Sequence, residues 1–243
     1  MITKAQVKHI RSLDDKNYRR QFNEFVVEGE KMLTEVLRSG FEISMIYAVD
    51  EWVEKYKVEL MNKPYQLIPY FELEKISHLK TPNQVLAIVR IPVATIPSSL
   101  SGLTLMLDDI RDPGNLGTII RIADWFGIQN VICSIGSVDV YGSKVIQATM
   151  GSIFRVGVFY TDLKSHILSQ PGTQVIGASL FGKDIREFQY KQPAFLLIGN
   201  ESKGLSPELQ ALCSDTVKIP QLGHAESLNA AVATGIICHA LLC

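Results

Sequence analysis

The feature that most constrains this chain is a pattern in its second half, where short apolar runs stop abruptly in polar, glycine-bearing loops. Leu103 to Leu107, Val131 to Cys133, Gln174 to Ala178 and Phe195 to Ile198 are such runs. Runs this short suit strands buried on both faces better than helices, which need a longer, 3.6-periodic stripe. Helical or loop segments separate them, among them an amphipathic stretch from Asn115 to Phe126. The alternation predicts an α/β fold with a mostly parallel sheet covered by helices on both faces.

Residues 3 to 89 alternate in the same way on a smaller scale. A polar helix is expected near Thr3 to Lys16, a strand at Phe25 to Val27, and a helix over Glu28 to Arg38 with Met32, Leu33, Val36 and Leu37 on one side. Further strands fall at Ile43 to Val49 and Val85 to Val89. This predicts a small α/β unit. From Arg90 to Gly102 the chain holds Pro92, Pro97 and three serines without strong periodicity, the chemistry of a linker. The expected domains are therefore 1–97 and 98–243, with a linker at about 90–102.

With 24 basic and 25 acidic residues the net charge announces no polyanion partner, but binding responds to where charge sits. Lys4, Lys8, Arg11, Lys16, Arg19 and Arg20 are opposed only by Asp14 and Asp15, so the N-terminal segment is locally cationic. Cys133, Cys213, Cys238 and Cys243 form no C-x-x-C pair and sit among apolar residues, which predicts buried, reduced thiols and no metal site. Met1 to Arg11 has no apolar signal core, and Leu228 to Cys243 is shorter than the ~20 residues that cross a bilayer. A cytoplasmic protein without membrane contact is expected.

Three constellations carry chemistry. In the first, Asp108 to Gly117, a strand ends in a polar Gly/Pro turn that opens a helix, where backbone amides are free to meet a ligand. Arg121 follows Asn115 by about a turn and a half, and the two are expected to reach one site. Alternatively Asn115 is a cap and Arg121 a solvated side chain. The second, Phe195 to Ser206, runs a buried strand into Gly199-Asn200-Glu201-Ser202-Lys203-Gly204-Leu205. Its glycine spacing is that of a phosphate loop, but Leu205 stands where such a loop needs lysine, so a nucleotide triphosphatase fits poorly. The glycines would let backbone approach a flat ligand; Ser206 capping a helix at Pro207 is the plainer reading. In the third, Val217 to Pro220 precedes a loop and a helix beginning near Ser227, where Glu226 or Ser227 could cap the helix or offer polar groups to a ligand.

Taken in order, these constellations resemble the signature of the SpoU family of RNA 2'-O-ribose methyltransferases, in the SPOUT superfamily. The family pattern N-x-G-x-x-x-R is met by Asn115, Gly117 and Arg121. The pattern G-N/S-E-x-x-G-L/I is met by Gly199, Asn200, Glu201, Gly204 and Leu205. The pattern I-P-x(6)-S-L-N-x-A/S-x-A is met by Ile219, Pro220, Ser227, Leu228, Asn229, Ala231 and Ala233. The N-terminal half is similar to the RNA substrate-binding domain often attached to these enzymes, through Ile10-Arg11-Ser12-Leu13, Lys16 to Arg20 and Phe25-Val26-Val27-Glu28-Gly29. Where that domain has threonine-proline-glutamine-glycine, this chain has Thr81-Pro82-Asn83-Gln84.

The resemblance implies a trefoil knot in the C-terminal domain, S-adenosylmethionine as cofactor, RNA, most readily ribosomal RNA, as partner, and a homodimer in which the first motif of one subunit meets the cofactor pocket of the other. It implies that Gly199, Ile219 and Leu228 hold the cofactor through backbone groups, with Ala178, Ser179 and Asn200 beside it. Arg121 would activate the ribose hydroxyl. Because a guanidinium stays protonated, electrostatic activation fits it better than a general-base role. Asn115 and Glu201 would order Arg121 and the cofactor loop, and Ser227 and Asn229 would contact the target nucleotide. A transfer-RNA methyltransferase and a non-catalytic RNA-binding protein are the alternatives; a dinucleotide enzyme lacks its G-x-G-x-x-G turn.

Overall fold

The computed structural model describes residues 1–98 and 100–243; Ser99, inside the expected linker, lies outside them. The chain divides into two compact units, Met1–Val93 with Asp139–Phe154, and Ala94–Val138 with Arg155–Cys243.

The first unit runs α1 (Lys4–Ser12), α2 (Lys16–Phe22), β1 (Glu24–Glu28), α3 (Glu30–Leu37), β2 (Ile43–Ala48), α4 (Asp50–Lys55), β3 (Tyr65–Leu67), α5 (Tyr70–Ile76) and β4 (Val85–Arg90). The expected single N-terminal helix is two, because the chain turns at Leu13 to Asp15 and Asp15 caps α2 by accepting from the Asn17 amide. The strands form a mixed sheet in the order β1-β4-β2-β3, with β2 and β3 parallel and the other pairs antiparallel. Ile10 and Leu13 of the first helical segment, Val26, Tyr47, Leu73, Ile76, Leu86 and Ile88 close a core on one face.

The second unit has β5 (Leu103–Leu107), α6 (Pro113–Trp125), β6 (Asn130–Ser134), then β7 (Gly157–Thr161), α8 (Leu163–Leu168), β8 (Gln174–Asp184), β9 (Ala194–Ile198), α9 (Pro207–Gln210), β10 (Asp215–Lys218) and α10 (Ala230–Leu242). Its six strands, in the order β10-β8-β9-β5-β6-β7, are all parallel, so the loops after β5, β8, β9 and β10 leave from one edge. β5 and β9 are buried along their whole length, as the uninterrupted apolar runs require.

Residues 139–154 fall inside the stretch that the sequence assigns to the C-terminal domain, yet they pack with the first unit. Here α7 (Ser143–Thr149) lies on the edge strand β1, burying Val145 and Ile146. The Gln147 side chain donates to the Glu28 carbonyl at 2.9 Å, and the Phe25 ring meets Tyr141 at 4.8 Å. An edge strand buried on both faces needs such a cover. Arg19 belongs to the same construction. Only 4 % exposed, it donates from Nη1 to the carbonyls of Leu13 and Asp14 at 2.8 and 2.7 Å, and from Nε and Nη2 to Asp139 Oδ2 at 3.0 and 2.6 Å. It is therefore not one of the cations available to RNA.

Among the described residues no helix is long and apolar enough to cross a membrane. The thiols differ from expectation in two places: Cys133 and Cys238 are buried, but Cys213 is half-buried and Cys243 exposed.

Candidate active site

The site is built where the apolar strands run out. At the end of β5, the Asp108 carboxylate accepts from the Ser206 amide at 2.7 Å, fastening the end of β5 to the loop after β9. Asp109 takes the left-handed conformation, φ 55°, which costs an L-residue but is tolerated best by Asp and Asn. Two bonds hold it there: its N–H donates to Ser134 Oγ at 2.8 Å, and its carbonyl accepts from Asn200 Nδ2 at 2.8 Å. Asp112 then caps α6, accepting from the Asn115 amide at 2.8 Å, with Pro113 at the first helical position. Asp112 is thus the cap and Asn115 the third residue of the first turn, its side chain turned inward and buried.

After β9 the chain closes on itself. Asn200 and Gly204 exchange both backbone hydrogen bonds, at 3.0 and 2.9 Å, and Gly204 sits at φ 67°. Gly199 is required by close approach: a Cβ there would lie 2.2 Å from the Gly204 carbonyl carbon and 2.3 Å from the Leu205 nitrogen. Asn200 Oδ1 accepts from the amides of Ser202 and Lys203, fixing the tip of the loop.

A single run of side-chain amides joins the three motifs. Asn229, rather than Ser227 or Glu226, caps α10: its Oδ1 accepts from the Ala231 and Val232 amides. That fixes which end of the Asn229 amide points away, and its Nδ2 donates to Asn115 Oδ1 at 2.7 Å. Asn115 must then present Nδ2 to Glu201, which accepts at 2.7 Å on Oε1. Each orientation is dictated by the one before it, from the amides of α10 to the Glu201 carboxylate.

The other expected site residues fall into two groups. Half-buried Gly199 and Ile219 follow the ends of β9 and β10, and half-buried Ala178 and Ser179 lie in β8 just past Gly177, where its pairing with both neighbours breaks off, with Leu228 47 % exposed. Here β8 leaves its partner: β10 pairs with Ile176 and Gly177, then resumes at Lys183 and Asp184, so residues 178 to 182 bulge out of the sheet. Small side chains and free backbone along one edge suit a flat, amphipathic ligand.

Arg121 and Ser227, in contrast, are exposed. Among the described residues Arg121 has no hydrogen-bond or ion-pair partner. Six residues of helix turn it about 240° around the axis from Asn115, which is buried where Arg121 is exposed. No hydrogen bond joins Arg121 to Asn115 within the chain.

An open-edged α/β protein with three interlocked loops at the carboxyl ends of parallel strands is the class this geometry defines. Residues 102–239 match the SpoU rRNA Methylase family and residues 4–87 the MRM3-like substrate binding domain. The chain belongs to the SpoU rRNA methylase family. It is 30 % identical over 97 % of its length, and 95 % of the relative's, to the 23S rRNA (guanosine(2553)-2'-O)-methyltransferase RlmP of Bacillus subtilis. The AdoMet-bound rRNA methyltransferase from Sinorhizobium meliloti superposes with a TM-score of 0.88 at 32 % identity, covering 99 % of this chain and 95 % of that one. The SpoU methyltransferase AviRb from Streptomyces viridochromogenes, in complex with AdoMet, gives 0.85 at 27 % identity, covering 98 % and 97 %.

Proposed function

We propose that this protein transfers a methyl group from S-adenosylmethionine to a ribose 2'-hydroxyl of ribosomal RNA. The observation that carries the reading is the run Glu201–Asn115–Asn229, which locks the three family motifs together at one sheet edge. The likeness to ribosomal RNA 2'-O-methyltransferases over nearly the whole chain supports the substrate class.

When bound, S-adenosylmethionine supplies a methyl group activated on a sulfonium. Gly199, Ile219 and Leu228 would hold it through backbone groups, with Ala178, Ser179 and Asn200 beside it. Asn115, Glu201 and Asn229 are positioning residues, since the polar ends of the Asn115 and Asn229 amides are committed to one another, to Glu201 and to α10. Ser227 and the exposed Asn229 stand where they can meet the target nucleotide. Arg121 would stabilise the charge that develops on the ribose oxygen as its proton passes to solvent water, itself remaining protonated throughout.

Arg121 does this in the partner's site. Trp125, one turn further along α6, is 85 % exposed, and α10, packed on α6, exposes Val232 and Ile236. An apolar face beside an unpartnered arginine suits a homodimer in which each Arg121 reaches across. In the same reading residues 98–243, apart from 139–154, which pack with the first unit, form a knotted methyltransferase domain, residues 1–97 present the RNA, residues 90–102 link them, and the protein works in the cytoplasm.

The test uses ribosomal RNA from a strain lacking the gene, incubated with the protein and tritium-labelled S-adenosylmethionine, then hydrolysed in alkali. A 2'-O-methyl group removes the internal nucleophile of strand cleavage, so label is expected in alkali-resistant dinucleotides. Label in mononucleotides, or none, sinks the proposal.

A further inference from the structure

The first unit carries a groove between α1 and α5, about 390 Å³, with a floor of Ile2 and Val7 and walls of Lys4, Lys8 and Lys75. Lys4, Lys8 and Arg11 recur at helical spacing along one stripe of α1, covering roughly 10 Å of its axis. Arg11 donates from Nε to the Lys75 carbonyl, tying the stripe to α5. Lys75 Nζ in turn stands 4.9 Å from the ring centroid of Phe71, which is 53 % exposed.

Several cations of the unit are paired: Lys55, Lys57 and Arg90 meet Glu30, Glu54 and Glu42, and Arg19 meets Asp139. What sets this face apart is convergence, since Lys4, Lys8 and Lys75 line one groove. Lys4, Lys8, Arg11 and Lys75 have no carboxylate within ion-pair distance among the described residues. Glu72, which accepts from the amide of the floor residue Ile2 at 2.8 Å, is buried. Four converging cations without counter-charge, beside an exposed ring, match a polyanion that also offers flat bases.

We infer that the α1/α5 groove is the docking surface for the RNA sugar-phosphate backbone, with Lys4, Lys8, Arg11 and Lys75 on phosphates and Phe71 against an unpaired base. The inference rests on the proposed methyltransferase reading and locates substrate capture in the first unit. It also removes Arg19 from the cationic segment and adds two residues of α5 that are distant in sequence.

The test compares the full-length wild type with a Lys4→Ala/Lys8→Ala/Lys75→Ala variant, its Lys→Arg counterpart, and Lys57→Ala/Lys63→Ala as a surface control. The probe is ribosomal RNA transcribed in vitro. Loss of three phosphate contacts is expected to weaken binding by about tenfold or more near 0.15 M salt and to flatten the slope of log affinity against log salt by about 2 to 3. The arginine variant and the control stay near wild type. S-adenosylhomocysteine affinity and kcat at saturating RNA stay unchanged, while KM for RNA rises. Affinity within twofold and an unaltered salt slope in a wild type that methylates RNA overturn the groove alone, and would leave an acidic protein partner as its occupant. Lysine-dependent RNA binding by a wild type that methylates nothing upholds the groove and overturns the methyltransferase reading.

Discussion

At the carboxyl edge of the six-stranded sheet, Asn115, Asn200, Glu201 and Asn229 are all hydrogen-bonded to one another or to the backbone of neighbouring loops. On the outer face of α6, Arg121 stands exposed with no partner among the described residues. One helix thus serves both regions. Its buried side is fixed by hydrogen bonds within the chain. Its exposed side carries Arg121, which the proposed homodimer would bring to a second subunit. In that proposal preorganisation is confined to the part of the site that one chain completes.

The contrast can be broken first at Arg121. Because the exposed side chain makes no hydrogen bond or ion pair among the described residues, Arg121→Ala should leave stability and S-adenosylhomocysteine affinity within a few-fold while methyl transfer falls about a hundredfold to a thousandfold. Single-turnover label transfer and calorimetry check the two halves. Arg121→Lys keeps the charge but not the fork, so its recovery measures how much of the effect is charge alone.

At the buried edge the order reverses. Gly199→Ala drives a methyl group into the Gly204–Leu205 backbone, so the loop must open and cofactor affinity should drop by about tenfold, roughly 1.4 kcal/mol. Titration of S-adenosylhomocysteine into the folded variant reads this directly. Asn229→Ala removes the α10 cap and strands the Asn115 carbonyl oxygen, which should lower stability by about 2 kcal/mol in urea unfolding. The smallest effect concerns the thiols. Burial pushes Cys133 and Cys238 up to about 12 and Cys213 to about 11, so near neutral pH all three remain protonated and poorly nucleophilic. A thiol reagent should label Cys243 in the native protein, and Cys133 and Cys238 only after unfolding.

Much of the fold was legible because burial on both faces leaves a direct trace. Leu103 to Leu107 and Phe195 to Ile198 read as central strands, and they are. The first unit was harder. β3 (Tyr65–Leu67) is a short, half-exposed strand without an apolar run, and α4 and α5 are under two turns long, too brief for a periodic signal. Within the site, the motif spacing pointed to Asn115, Glu201 and Asn229 but not to their order of bonding, which depends on strand neighbours far apart in sequence. Asp112 could have been found from Asp-Pro at a helix start. The left-handed Asp109 could not, since its conformation is set by Ser134 and Asn200. Arg19 read as one of six N-terminal cations; only packing shows that it is buried and bound to Asp139.

Coexpression of the Arg121→Ala and Gly199→Ala chains, assayed at S-adenosylmethionine below its wild-type dissociation constant so that each homodimer is impaired, tests most directly whether Arg121 and the cofactor loop of one site come from different subunits. If they do, half of the random dimers carry one intact site, and methyl transfer should return to about a quarter of the wild-type level. Heterodimers that form but stay inactive would contradict it.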